Sequence, residues 1–228
     1  MQKLFTAILT GALLLLSTPS HSQVFLHAGY LGSSETSIYP NGNKYIDKLN
    51  GFCVGAGYNY NLVKGLGIAS GLFGTYLAGK DSGTVGSAML NATETVRFVE
   101  FDLNIPIYAT YGVEIGDLTV FAYAGPAFQL GLLCHSTDMV NGNFGLVQYS
   151  SSQPYVYDHY KGDDKHDRDQ NPFNVYLSVG AGVQLGTAIQ LIFGYEHNLS
   201  NMTSYAGYTQ NRSQFHIGLG VALGSHER

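Results

Sequence analysis

Apolar and polar residues alternate with a period of two along four stretches of the chain. In the last, Phe215, Ile217, Leu219, Val221 and Leu223 share one face, and Gln214, His216, Gly218, Gly220 and Ala222 share the other. From Val175 the apolar set is Val175, Leu177, Val179, Ala181, Val183 and Leu185. From Val99 it is Val99, Phe101, Leu103, Ile105 and Ile107, and from Ile189 it is Ile189, Leu191, Phe193 and Tyr195. Successive side chains of a strand point to opposite faces, so this pattern predicts half-buried strands. Weaker alternation marks 24–30, 52–60, 66–77 and 119–132. The result is eight strands of about 7 to 14 residues, the longer ones suiting tilted membrane strands.

The segments between them alternate in length. Those at 61–64, 112–117 and 186–187 are short, and those at 33–49, 80–93, 135–172 and 200–211 are long. An up-and-down barrel gives this rhythm when one rim faces outside and the other the periplasm. Alternation alone does not say which way the apolar face points, because a soluble lipocalin-type barrel has the same period. The other face decides it: it carries Gly, Ala, Ser, Asn and Gln with single charges, which suits a narrow lumen and not a soluble exterior. The apolar face then meets lipid, where only a closed barrel satisfies every backbone group. The predicted fold is all-β, an eight-stranded antiparallel up-and-down transmembrane β-barrel. Tyr30, Tyr58, Tyr60, Tyr76, Tyr111 and Tyr195 fall near strand ends and are candidates for interfacial girdles.

Composition agrees. Only 12% of the 228 residues are charged while 45% are hydrophobic, too few charges for an ordinary soluble globule and too much apolar content for a disordered chain. The net charge of -5 argues against a nucleic-acid binder, which would normally show a basic face. Residues 1–22 read as a signal peptide: Lys3, a short apolar run ending in Leu13–Leu16, Pro19, then Ser20 and Ser22 before a cut at Gln23. That run is too short to span a membrane as a helix. Residues 23–228 form the barrel domain, and the location is the outer membrane.

Short motifs within the strands resemble those of PorT-like outer-membrane barrels of Bacteroidota. They are Arg97 to Tyr108 with its acidic residues and Ile105-Pro106, Ala124-Gly125-Pro126, and Gly194-Tyr195-Glu196 followed by Leu199-Ser200-Asn201. The resemblance implies an eight-stranded outer-membrane barrel and implies no secretion role. The end departs from the pattern: outer-membrane strands often finish on an aromatic residue, whereas this chain runs past Leu223 to Gly-Ser-His-Glu-Arg.

By parity His27, Glu100, Asp102, Glu196, Arg212 and His216 face the lumen as a polar cluster. Strands one and eight must pair to close the barrel, which brings His27 and His216 into one region. Glu196 and Arg212 lie on neighbouring strands near the long-loop rim. Lumen charges come in compensating sets, since an unpaired buried charge is costly. The bland expectation is an interior filled by side chains. No catalytic residue, cofactor or metal is assigned. The carboxylates Asp163, Asp164, Asp167 and Asp169 offer oxygen ligands for calcium but lack the EF-hand spacing, and read as a solvated loop. Cys53 is expected to face in and Cys134 out, leaving two free thiols.

Function then has three readings. The first is a structural or interaction barrel acting through its extracellular loops, with outer-membrane lipid, lipopolysaccharide and a protein at those loops as partners. The second is a lipid-modifying enzyme using His135 or His197 with Ser136 or Ser200, although neither Gly-x-Ser-x-Gly nor His-Glu-x-x-His is present. The third is a soluble periplasmic barrel holding an apolar ligand.

Overall fold

A computed structural model describes residues 22–87, 90–144, 147–150, 155–162 and 167–223. The ten strands are β1 (Ser22–Ile38), β2 (Lys44–Val63), β3 (Leu66–Ser87), β4 (Leu90–Ile115), β5 (Leu118–Phe144), β6 (Val147–Ser150), β7 (Tyr155–Asp158), β8 (Phe173–Leu185), β9 (Ile189–Asn198) and β10 (Thr209–Ala222). Eight of them close a ring: β1, β2, β3, β4, β5, β8, β9 and β10 are hydrogen-bonded in that order, and β10 returns to β1. Every pairing is antiparallel. The short β6 and β7 add to the end of β5, outside the ring.

Three tight turns make one rim. Lys64 and Gly65 both take positive φ, at 38° and 84°, the conformation a two-residue hairpin requires. Gly116 and Gly186 bend the other two turns with φ of 63° and 53°. With an even number of strands both ends of the barrel, Ser22 and Ala222, lie on this turn rim. Residues 1–21, which hold all but Ser22 of the signal peptide expected from the sequence, lie outside the described residues, as do Asp163 and Asp164.

The strands are much longer than the sequence pattern predicts, and the segments read as long loops are partly strand. β3 and β4 stay paired out to Ser87–Leu90, and β4 and β5 out to Leu90–Phe144. Pairs such as Thr84 with Thr93 and Ser82 with Thr95 lie beyond the lipid band. There a strand needs only backbone partners and β-favouring side chains, so apolar alternation no longer marks it. The β3–β5 wall therefore rises above the β8–β9 side, where the strands are 13 and 10 residues long.

The direction of the faces is resolved. Leu219, Val221, Leu177, Val179, Ile105, Ile107, Val54 and Leu26 are exposed on the outside, and their neighbours in sequence point in. One ring of aromatics runs through Tyr30, Phe52, Phe101, Phe173, Tyr195 and Phe215, with Phe52 stacked on Tyr76. Tyr60 and Tyr111 are exposed towards the turn rim. From Phe52 to Tyr60 is about 26 Å of strand at ~3.3 Å per residue. With the usual tilt that covers most of a band about 25 Å tall.

The parity assigned to Cys134 fails. Phe101 pairs with Leu133 but Asp102 pairs with Gly131, so Leu132 is an extra residue on β5. This bulge shifts the alternation by one. Gln129 and Gly131 point in before it, and Cys134 and Ser136 point in after it. Cys134 is therefore buried in the lumen, its thiol donating to Gln170 Oε1 at 3.4 Å. Cys53 also faces in, and both are thiols.

Candidate functional site: a lumen sealed at one end and open at the other

The hairpin end of the lumen is closed by a charged layer. Arg212, fully buried on β10, donates Nη1 and Nη2 to the two oxygens of Glu100 at 2.9 and 2.6 Å. Its Nε and Nη2 also reach Glu35 Oε2 at 3.2 and 2.6 Å. Gln210 Nε2 donates to the other Glu35 oxygen. Tyr160, on the turn after β7, reaches across to donate to Glu100 Oε1 at 2.8 Å and lies 3.2 Å from Asp102 Oδ1. Gln129 Nε2 donates to Asp102 Oδ2 at 2.5 Å. The Tyr160 ring sits over Gly131, where a Cβ would meet it at 2.2 Å. Leu31, Leu49 and Leu77 pack together on the β1–β3 side, with Phe98 against them. A buried guanidinium held by two carboxylates makes short, charge-assisted bonds, and losing either side strands the other.

Glu196 belongs to a different layer. It accepts from Tyr108 at 3.0 Å and Ser178 at 3.2 Å on one oxygen, and from Gln214 Nε2 at 2.6 Å on the other. Although it lies on the strand beside Arg212, its partners are neutral donors. His216 shares a 2.9 Å hydrogen bond with the Tyr123 hydroxyl. His27 lies between Phe25 and Phe73, with ring centroids 5.8 Å away on each side. A Cβ on Gly194 would come within 2.2 Å of the His216 ring, and one on Gly220 within 2.6 Å of His27. Glycine at these two lumen positions is what leaves room for the imidazoles.

All six residues of the sequence-derived lumen cluster thus point inward, but they do not form one cluster. Glu100, Asp102 and Arg212 join the seal, while Glu196, His216 and His27 line the space below it. The sequence reading missed Glu35, Tyr160 and Gln129. Glu35 was legible: His27, Gly29, Leu31 and Ser33 set the parity, and carrying it past Tyr30 puts Glu35 inside. Nothing in the sequence marks Tyr160.

Below the seal the barrel is not filled. A cavity of about 1320 Å³ runs from Glu196, Gln214 and Asn104 down to Lys64, Gly112, Glu114 and Thr187 at the turn rim. The expectation of a packed interior fails here because Gly57, Ala69, Gly112 and Gly218 present little or no side chain to the lumen.

On the far side of the seal, a cleft of about 480 Å³ is lined by Glu35, Asp47, Asp169, His159 and the tyrosines Tyr39, Tyr205 and Tyr208. His159 Nδ1 pairs with the Asp169 carboxylate at 2.9 Å. Burial and the neighbouring carboxylates of Glu35 and Asp81 push the Asp47 carboxyl above its ordinary range. The His–Ser relays considered from the sequence take other partners. His197 bonds Ser213 at 2.9 Å, Ser200 donates to Asn174 at 3.0 Å, and His135 pairs with Asp158 at 3.3 Å. Of the acidic loop, Asp169 is engaged by His159, and the Asp167 carbonyl accepts from Tyr157. Among the described residues, no three His, Cys, Asp or Glu side chains gather to hold a metal.

Closed ring, apolar outer band and polar lumen together define the class: a small membrane-spanning β-barrel of the outer-membrane type. No known family matches the chain, and no curated relative does. Among solved structures it is similar to Ail, the attachment invasion locus protein of Yersinia pestis. Identity is 14%, coverage 90% of this chain and all of that one, and the TM-score 0.37. Neisserial surface protein A gives 10% identity, the same coverages and a TM-score of 0.37. The outer membrane protein OprG from Pseudomonas aeruginosa gives 10%, with 90% and 97% covered and a TM-score of 0.37. At these scores the likeness adds no weight to the barrel's own geometry, on which the class rests.

Proposed function

We propose that this chain is a small surface barrel of the outer membrane that works by binding through its outer hairpins, and that it neither catalyses nor conducts. The observation that carries the reading is the Arg212 layer: it blocks the lumen just where the hairpins begin, so what lies outside acts outside. The hairpin end offers contact surface in the exposed Tyr39, Tyr45, Ile46, Tyr155, Val156, Tyr205 and Tyr208. Aromatic residues of this kind are common anchors of protein interfaces. The partners are a protein at these hairpins and lipopolysaccharide around them. Residues 1–22 are the leader removed on export, and 23–228 the barrel. Kinship with the PorT-like barrels of Bacteroidota is supported by the short motifs alone.

A photo-crosslinkable residue at Tyr205 or Tyr208 tests this in intact cells. The expected result is a discrete higher-mass adduct from these positions and none from Leu219 in the lipid band. Adducts absent from every hairpin position would overturn the interaction role.

A further inference from the structure

The outer wall carries a row of cations just where three neighbouring strands leave the lipid band. Lys48 on β2, Lys80 on β3 and Arg97 on β4 each stand four residues beyond an aromatic at the band's edge, Phe52, Tyr76 and Phe101. Four is an even step, so the cations share the outward face of those aromatics, and all three are exposed. Lys80 and Arg97 are cross-strand partners. Lys48 and Lys80 each lie two residues past the paired Asn50 and Ala78. The carboxylates of the same strands point the other way. Asp47, Asp81, Glu94, Glu100, Asp102 and Glu114 all fall an odd number of residues from the cation of their own strand. Among the described residues, none of the three cations pairs with a carboxylate. Asp158, further round on β7, is taken by Lys161 and His135.

Like charges directly opposite one another in a sheet repel, and an anion lying between them relieves the row. Height along the barrel says which anion. Four residues are about 13 Å of strand, or roughly 10 Å along the axis at the usual tilt. Lysine and arginine stems reach back over part of that distance to the headgroups. The wall beneath is apolar and exposed, at Phe52, Val54, Leu72, Phe101 and Ile105. An amphiphile with its phosphate above and its acyl chains below matches both parts. The charge is confined to one side of the barrel: four residues beyond Tyr30 on β1 and Phe215 on β10 stand Ser34 and Asn211. We propose that the β2–β4 wall is a docking site for a phosphorylated glycolipid of the outer leaflet. Lys48, Lys80 and Arg97 hold its phosphate, and its acyl chains lie along Phe52, Tyr76 and Phe101. The guanidinium meets the phosphate oxygens as a fork and the ammoniums as point charges. The site presupposes the outer-membrane surface barrel proposed for this chain, and gives its lipopolysaccharide one place on the wall.

Native mass spectrometry of the refolded full barrel, released from detergent, tests this. The probes are lipid A carrying its phosphates, the same lipid A dephosphorylated, and phosphatidylglycerol. The expected result is one retained lipid A, with a preference of tenfold or more over the dephosphorylated form. Lys48→Gln, Lys80→Gln and Arg97→Gln should each weaken retention about fivefold, the usual effect of one basic residue at an anionic membrane surface. Lys44→Gln, on the same face of β2 but eight residues beyond Phe52, should change it less than twofold. Millimolar inorganic phosphate should leave the adduct in place. A variant that fails to fold is set aside, and the other two carry the test. Equal retention with and without phosphate, or by native protein and variants, would overturn the site and leave the outer-membrane reading standing. An equal loss in Lys44→Gln would mark net charge and overturn it too. Displacement by inorganic phosphate would remove the lipid as ligand, and phosphatidylglycerol held as tightly would remove the glycolipid. A native barrel that retains no lipid of any kind would bring down the site and the membrane reading together.

Discussion

The two halves of this lumen are built from the same strands, yet they solve opposite problems. Towards the hairpins, Arg212, Glu35, Glu100, Asp102, Gln129 and Tyr160 form a closed hydrogen-bonded layer beside Leu31, Leu49 and Leu77. Towards the turns, small residues leave a cavity of about 1320 Å³. In the first half a guanidinium bridges two carboxylates; in the second, Glu196 is held by neutral donors alone. An eight-stranded ring is just narrow enough for side chains to fill, so whether it is plugged or hollow is set residue by residue.

The largest effect that would break this comparison is at Arg212. Arg212→Leu leaves Glu35 and Glu100 buried without their cation and should cost about 3–5 kcal/mol in denaturant unfolding of the refolded barrel. A loss under about 1 kcal/mol would mean that the layer is not a structural seal. Next is the outer surface common to both halves. Leu219→Arg places a charge in the lipid band, at a cost of about 2–4 kcal/mol near the midplane, visible as reduced membrane assembly. Unchanged assembly would put that face in water.

A matched pair of tyrosines sharpens the contrast. Tyr160→Phe removes a bond to a buried carboxylate and should cost about 1.5–3 kcal/mol. Tyr123→Phe removes one to the His216 imidazole in the hollow half and should cost only about 0.5–1.5 kcal/mol. Equal costs would erase the distinction.

The smallest effect lies outside the membrane, at Asp158. Burial works to raise its carboxyl, but the Tyr160 amide, Lys161 and His135 outweigh it and hold the group below the ordinary carboxylate range. A depressed folded value means that this support is complete above about pH 3.9, the unfolded value, and is lost as pH falls through the folded one. Hydrogen exchange at residues 155–162 should therefore quicken in acid before the barrel unfolds. Exchange independent of pH, after correction for its intrinsic acid dependence, would remove these contacts from the account.

The membrane-spanning part of the fold was legible because lipid and lumen impose opposite demands on alternate residues. Phe215 to Leu223 and Val175 to Leu185 carry that demand without a break. Past the lipid band the constraint relaxes, so Thr84, Thr93 and Thr95 gave no sign of being strand. At Leu132 a single extra residue, invisible to composition, turned Cys134 from outside to inside. The site was legible to the same depth. Parity put the six charged and imidazole residues in the lumen, but pairing depends on height along the barrel as well as on face. That is why Arg212 finds Glu100 and Glu35 and not its neighbour Glu196. Tyr160 enters from a turn after β7, with no periodic pattern to announce it.

The most direct test of a lumen sealed by the Arg212 layer is ion conductance of the refolded native barrel in a planar bilayer. The account predicts no steady current through the native protein. A persistent ohmic current through it would contradict the seal and make the lumen a channel.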